Sequence, residues 1–113
     1  MFNRMVEDTA TLDRVYRALG DSTRRRLLAQ LDAGAARITD LAAPLPMSFA
    51  AVARHVSVLE RAGLIERHVR GREHWLSVRA GALTDAERWI AQQTAFWGLR
   101  ADALAEQLAQ KRA

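Results

Sequence analysis

The chain has 113 residues, half of them hydrophobic, and a formal net charge of +4 from 17 basic and 13 acidic side chains. That length and apolar content set one domain with a real core and argue against wholesale disorder, and the lack of cysteine excludes disulfides, thiolate metal sites and cysteine nucleophiles. No apolar run approaches the roughly 18 residues of a membrane span and the N-terminus lacks a signal-peptide apolar stretch, so a soluble, cytoplasmic protein with no membrane partner is expected.

Taken in order, the first seven residues read as an irregular start. Asp8 or Thr9 is placed to cap a helix whose Leu12, Val15, Tyr16 and Leu19 recur at i, i+3, i+4 and i+7, and Gly20 ends it. Asp21 caps a second helix, STRRRLLAQLDAG, with Leu27, Leu28 and Leu31 inward and Gly34 as its stop. Thr39 is expected to cap a short third helix around Leu41 and Ala42, closed by Pro44 and Pro46. Ser48 caps a fourth that runs to Ala62, with Gly63 where a left-handed residue is wanted.

The period then changes. LIERHVR and EHWLSV alternate, placing Ile65, Val69, Leu76 and Val78 on one side, and Arg70-Gly71-Arg72 reads as the tip of a hairpin. A long helical stretch after Gly81 carries Leu83, Ala86, Trp89, Ile90, Phe96, Trp97, Leu104 and Leu108. Helices, a hairpin and one more helix are the order of a winged helix-turn-helix: mainly α, with a small β-hairpin wing. The expected organisation is a single unit over 1–113, with a helix-turn-helix at 39–62 and a wing at 64–79.

Charge is concentrated in this reading segment. From Arg54 to Arg79 six arginines face three glutamates, and all three histidines lie in the same stretch. A basic segment of this kind suits a polyanion, here double-stranded DNA. In a helix-turn-helix the second helix enters the major groove by its N-terminal residues. Ala50 and Ala51 keep that leading turn slim, and alanine or the ring of Phe49 can touch a thymine methyl. Ser48 can cap or bind phosphate, Val52, Val56 and Leu59 form the buried stripe, and Arg54, His55, Ser57 and Arg61 remain for DNA. Arg24 and Arg25, with the wing residues Arg70, Gly71 and Arg72, are expected to hold phosphates or reach a minor groove.

These stretches resemble the ArsR/SmtB-type winged-helix transcriptional repressors over nearly the whole chain. The matching segments are RALGDSTRRRLLAQL, ITDLAAPLPMSFAAVARHVSVLERAGLI and RHVRGREHWLSV. The closing ERWIAQQTAFWGLRADALAEQL resembles the subgroup with a tryptophan-bearing last helix and no metal site. The resemblance implies a homodimer paired through the first and last helices (8–20 and 82–110), with Ser48, Arg54, His55, Ser57 and the wing around Gly71 at DNA-contact positions. Ala53 stands where many members carry a serine that contacts DNA.

Many such proteins release DNA on binding metal, through a thiolate pair in the third helix or through ligands on the last one. Here the third helix reads RITDLAAPL. Asp85 and Glu87 match the start of the other site loosely, but Gly98 and Ala101 supply no ligand where its second half belongs. No metal or other cofactor is expected. His55, His68 and His74 fall on different elements with no nucleophile nearby, so no enzyme is expected.

Leu12, Tyr16, Leu19, Trp89, Phe96, Trp97 and Leu104 are read as dimer core, the three aromatics of the last helix facing Tyr16 and Leu19. A pocket among them for an unidentified small hydrophobic effector is the alternative reading. A winged helix used as a protein-interaction module is the rival at the level of function.

Overall fold

The computed structural model describes residues 2–112, with side chains from Thr9 onward. Its elements follow in the order α1 (Phe2–Leu19), α2 (Ser22–Leu31), β1 (Ala36–Arg37), α3 (Ile38–Ala42), α4 (Phe49–Arg61), β2 (Ile65–Arg70), β3 (Glu73–Val78), a single 3-10 turn (Ala80–Leu83) and α5 (Thr84–Arg112). This is the winged helix-turn-helix order.

The caps are largely where side-chain chemistry puts them. Asp21, in extended conformation, accepts the Arg24 backbone N–H at the start of α2, and Ser48 Oγ accepts that of Ala51 at the start of α4. At the other end of α4, Gly63 takes φ +74°. Its N–H reaches the Glu60 carbonyl at 2.9 Å and the next N–H, of Leu64, reaches Leu59 at 3.0 Å, which closes the helix in a left-handed stop.

One core gathers these elements. Val15 and Ala18 of α1, Leu27 and Leu31 of α2, Ile38 and Leu41 of α3, and Val52, Val56 and Leu59 of α4 are all buried, and Leu64, Ile65 and Leu76 seal it from the wing side. Along α4 the buried residues keep the i, i+4, i+7 spacing, so its opposite face is free of packing duties. Among the described residues the core contains no buried polar or charged side chain.

Four details depart from the sequence reading. Helix α1 begins at Phe2, before the expected cap at Asp8 or Thr9. Arg37, not Thr39, occupies the N-cap of α3, and it does so without a side-chain hydrogen bond. The chain enters α3 directly from β1, so Thr39 lies inside the helix. That strand is the third departure: Ala36 and Arg37 pair antiparallel with Leu76 and Trp75, making a three-stranded sheet in the order β1-β3-β2. Lastly, Val69 shares the face of Ile65 but is 59% exposed, because the hairpin extends past the body it packs on and its outer half has nothing to cover.

Candidate nucleic-acid interface

Helix α4 turns its unburied face outward as a stripe. Ala50, Arg54, Ser57 and Arg61 fall at i, i+4, i+7 and i+11, opposite the buried valines and Leu59. Ala50, Arg54 and Arg61 are exposed and Ser57 is half-buried. Phe49, 52% exposed, sits on the first turn next to the capping Ser48. Ala51 is half-buried beside them, and its N–H is used by the cap. The sequence placed Arg54 free of internal duties, and among the described residues it forms no hydrogen bond or ion pair.

The wing lies alongside. Gly71 adopts φ +62° between Arg70 and Arg72, and all three are exposed. A positive φ is cheap only for glycine, so this residue sets the tight tip. Arg72 lines a cleft of about 210 Å3 together with Phe49, Arg37, Thr39 and His74. The first turn of α4 and the wing tip thus share one surface. Arg70 sits 5.9 Å from the centre of the Trp75 ring and Arg37 of β1 sits at the same distance, while the Trp75 indole N–H donates to Glu73 at 3.0 Å. Neither Arg37 nor Trp75 was singled out from the sequence. Their partnership depends on β1, a strand too short to leave a periodic signal.

The expected phosphate clamp on α2 takes a different form. Arg24 donates from Nε to the Ala18 carbonyl at 2.8 Å and from one terminal nitrogen to that of Arg17 at 2.9 Å. Arg25 donates to the Leu19 carbonyl at 2.7 Å. Both guanidinium groups therefore satisfy the open carbonyls at the end of α1, where cations are also favoured by the helix dipole. Arg25 stays exposed, but Arg24 is half-buried and fully engaged. His55, read as a DNA contact, also packs against α2: its Nδ1 lies 3.2 Å from Arg24 and 3.8 Å from Asp21. The Arg24 backbone hydrogen bond holds the Asp21 carboxyl below its ordinary value, against partial desolvation and with help from the charges of Arg24 and His55.

At its far end α4 is tied to the wing. Arg67 of β2 bonds both oxygens of Glu60 and lies 3.0 Å from His74 Nδ1 on β3. The hydrogen bonds to Glu60 raise the Arg67 pKa further above its already high ordinary value.

The aromatic residues divide into two groups. The Tyr16 hydroxyl donates to the Ala86 carbonyl at 3.0 Å and its ring lies 5.9 Å from that of Trp89, so α1 and the start of α5 are joined within the subunit. Leu12 and Leu19 pack on the core beside it. Within one subunit Phe96 and Trp97 do not face Tyr16 and Leu19. They contact each other edge-on and are 49% and 62% exposed, and Leu104 further along is 56% exposed. The 29 residues of α5 carry it beyond the reach of α1 on this side, and Ala86 is its one buried residue among those described. No three His, Cys, Asp or Glu side chains among the described residues converge as a metal-binding group.

A helix-turn-helix domain family matches residues 19–68, from the end of α1 into the wing. The crystal structure of an ArsR family transcriptional regulator, RHA00566, superposes with a TM-score of 0.75 at 32% identity, covering 80% of this chain and 93% of that one. The chain belongs to the ArsR family. A repressor from Bacillus subtilis, SdpR, is 28% identical over 79 residues, covering 70% of this chain and 88% of the repressor. The homodimeric winged helix-turn-helix DNA-binding domain Mb0332 from Mycobacterium bovis, at 21% identity, shares the fold with a TM-score of 0.63 over 84% of this chain and 85% of its own.

The chain shares this family's winged helix-turn-helix fold. The chain is thus a transcriptional regulator with a DNA-binding fold, as the relatives it matches are regulators. Among the described residues no helix is long and apolar enough to cross a membrane.

Proposed function

We propose that this ArsR-family regulator is a repressor that binds a palindromic operator as a homodimer and does so without a metal signal. The observation that carries the reading is the cleft that joins Phe49, on the first turn of α4, to Arg72 of the wing, on a helix whose unpacked face bears Arg54 and Arg61. In this reading residues 39–62 enter the major groove, with Ser48, Phe49, Ala50, Arg54 and Ser57 at or near base edges. The segment 64–79 lays Arg70 and Arg72 on adjacent backbone or minor groove, adding affinity without direct sequence readout. Bound operator would then block access of polymerase to the promoter.

Pairing is assigned to segments 8–20 and 82–110. Phe96, Trp97 and Leu104 form an apolar face of α5 that one subunit leaves open, and Mb0332, which shares the fold, is a homodimer. Twofold symmetry then calls for two half-sites about 34–36 Å apart or a multiple of that. Metal independence rests on the sequence, which holds no cysteine and offers no ligand side chain at Gly98 or Ala101.

Footprinting on the DNA upstream of the protein's own gene tests this. Two protected patches related by a dyad, unchanged by added zinc or by a chelator, are expected. A single unsymmetrical patch, or protection that zinc abolishes, contradicts the corresponding part of the reading.

A further inference from the structure

Arg24 reaches from α2 to two other elements at once. Its Nε and one terminal nitrogen serve the carbonyls of Ala18 and Arg17 on α1, and the other terminal nitrogen lies 3.2 Å from His55 Nδ1 on α4. A guanidinium is always protonated and carries donors only. The ring nitrogen that faces it must therefore offer a lone pair, which leaves the His55 proton on Nε2. The Asp21 carboxylate, the acidic group on the same side, cannot reverse this assignment. It is 3.8 Å from Nδ1, beyond hydrogen-bond reach, and it accepts the Arg24 backbone N–H instead.

The other ring nitrogen is open. His55 Nε2 has no partner among the described residues, yet it is not a buried unsatisfied atom, a state found among those residues only at Gln30 Oε1. With 23% of the side chain accessible, Nε2–H reaches solvent from the helix that carries Arg54 and Ser57.

We propose that Arg24 is a positioning residue for DNA recognition. Without touching DNA, it holds His55 as the Nε2–H tautomer, so that α4 presents a hydrogen-bond donor at this point and no acceptor. The proposal rests on α4 being the DNA-reading helix. A donor-only His55 takes acceptor atoms: a phosphate oxygen, N7 or O6 of guanine, N7 of adenine or O4 of thymine. It mismatches the amino groups of adenine and cytosine. Arg24 thereby contributes to recognition from a half-buried position.

The tautomer is read without DNA. Long-range 15N–1H correlation spectra of the free wild-type protein, above the histidine titration range, are expected to show His55 protonated at Nε2 alone. A proton on Nδ1 overturns the proposal. Binding is then followed by fluorescence anisotropy on the duplex upstream of the protein's own gene and on a scrambled one. Glutamine carries its own outward amide donor at about the reach of Nε2, so His55→Gln is expected to bind within about threefold of wild type. His55→Ala is expected to lose about tenfold, one net hydrogen bond.

Arg24→Met is expected to lose about tenfold beside His55 and less than about twofold in the His55→Ala background, where no ring remains to be held. Equal losses in the two backgrounds, or a His55→Gln variant no better than His55→Ala, overturn the proposal. Should Arg24→Met fail to fold, the spectra and the two His55 variants decide the matter alone. Loss on both duplexes assigns the acceptor to phosphate, and loss on the native duplex alone assigns it to a base edge. If Arg54→Ala impairs binding while His55→Ala does not, this proposal falls and the DNA-reading helix stands. If neither variant matters, both fall.

Discussion

The Arg67 guanidinium grips both carboxylate oxygens of Glu60, from Nε at 3.2 Å and from a terminal nitrogen at 2.6 Å, which ties the end of α4 to the first wing strand. The pair is about three-quarters covered, with side-chain exposures of 27% and 28%. Bidentate geometry and partial burial make it worth more than an open surface pair. Arg67→Met removes five donors and leaves the largely covered Glu60 without its partner. A stability loss of about 1–2 kcal/mol is expected, seen as a lower urea midpoint at fixed protein concentration. An unchanged midpoint would mean that the wing is held by the sheet and Leu76 alone.

Gly63 tests the left-handed stop of α4. A Cβ there would meet nothing closer than an Arg79 terminal nitrogen at 3.8 Å, an ordinary contact, so space is not the issue. The backbone is: φ is +74°, a conformation that costs a residue with a Cβ roughly 1–2 kcal/mol. Gly63→Ala should destabilise by about that amount, as judged by denaturant unfolding. Gly98, in the middle of α5, has φ in the ordinary range and open space around it. Gly98→Ala should therefore stabilise the helix by up to about 1 kcal/mol, provided the partner subunit does not use the gap.

Asp21 should make part of the stability acid-sensitive. Its folded pKa lies below the ordinary value of 3.8, chiefly through the Arg24 backbone N–H. A depressed carboxylate binds protons more weakly folded than unfolded, so its contribution is fully present above the unfolded value and is lost as pH falls through the folded one. The stability gap between wild type and Asp21→Ala is therefore expected to be constant near neutrality and to narrow below about pH 4. A gap that widens with acid would show that the cap works through a protonated carboxyl.

Much of this site is visible in the sequence because it rests on local chemistry. Asp21 and Ser48 cap because a side-chain oxygen stands before a helical run. Gly63 and Gly71 mark turns because positive φ excludes most other residues. Val52, Val56 and Leu59 define the buried side of α4, and so also the open side with Arg54. What the sequence hides is pairing at a distance. Arg24 stands 31 residues before His55, and nothing in the spacing shows that a surface-looking arginine will be spent on the carbonyls of α1. Likewise β1 has two residues, too few for any alternation, and it is β1 that brings Arg37 to Trp75. Val69 misleads for the opposite reason: its alternation is correct but the body it should cover ends before it.

The exposed end of α5 carries the prediction on assembly. Trp97 is 62% exposed and meets only the edge-on ring of Phe96, so a charge there should leave the subunit core untouched. Sedimentation equilibrium is expected to give a dimer for the wild type and a shift toward monomer for Trp97→Glu, with helical circular dichroism retained. Operator affinity should fall with it, because two half-sites bound together gain from effective concentration. A variant that remains dimeric would move the interface off this face.

The most direct test is fluorescence anisotropy with the duplex upstream of the protein's own gene, against a scrambled duplex, across a salt series. The native duplex should bind at least about a thousandfold tighter, with affinity falling steeply as salt rises. Arg54→Ala should cut that preference by about 1–3 kcal/mol while leaving the fold intact. Equal binding to both duplexes would contradict sequence-specific recognition at this site, and no binding at low salt would contradict the DNA-reading account of α4 and favour a protein partner for the same surface.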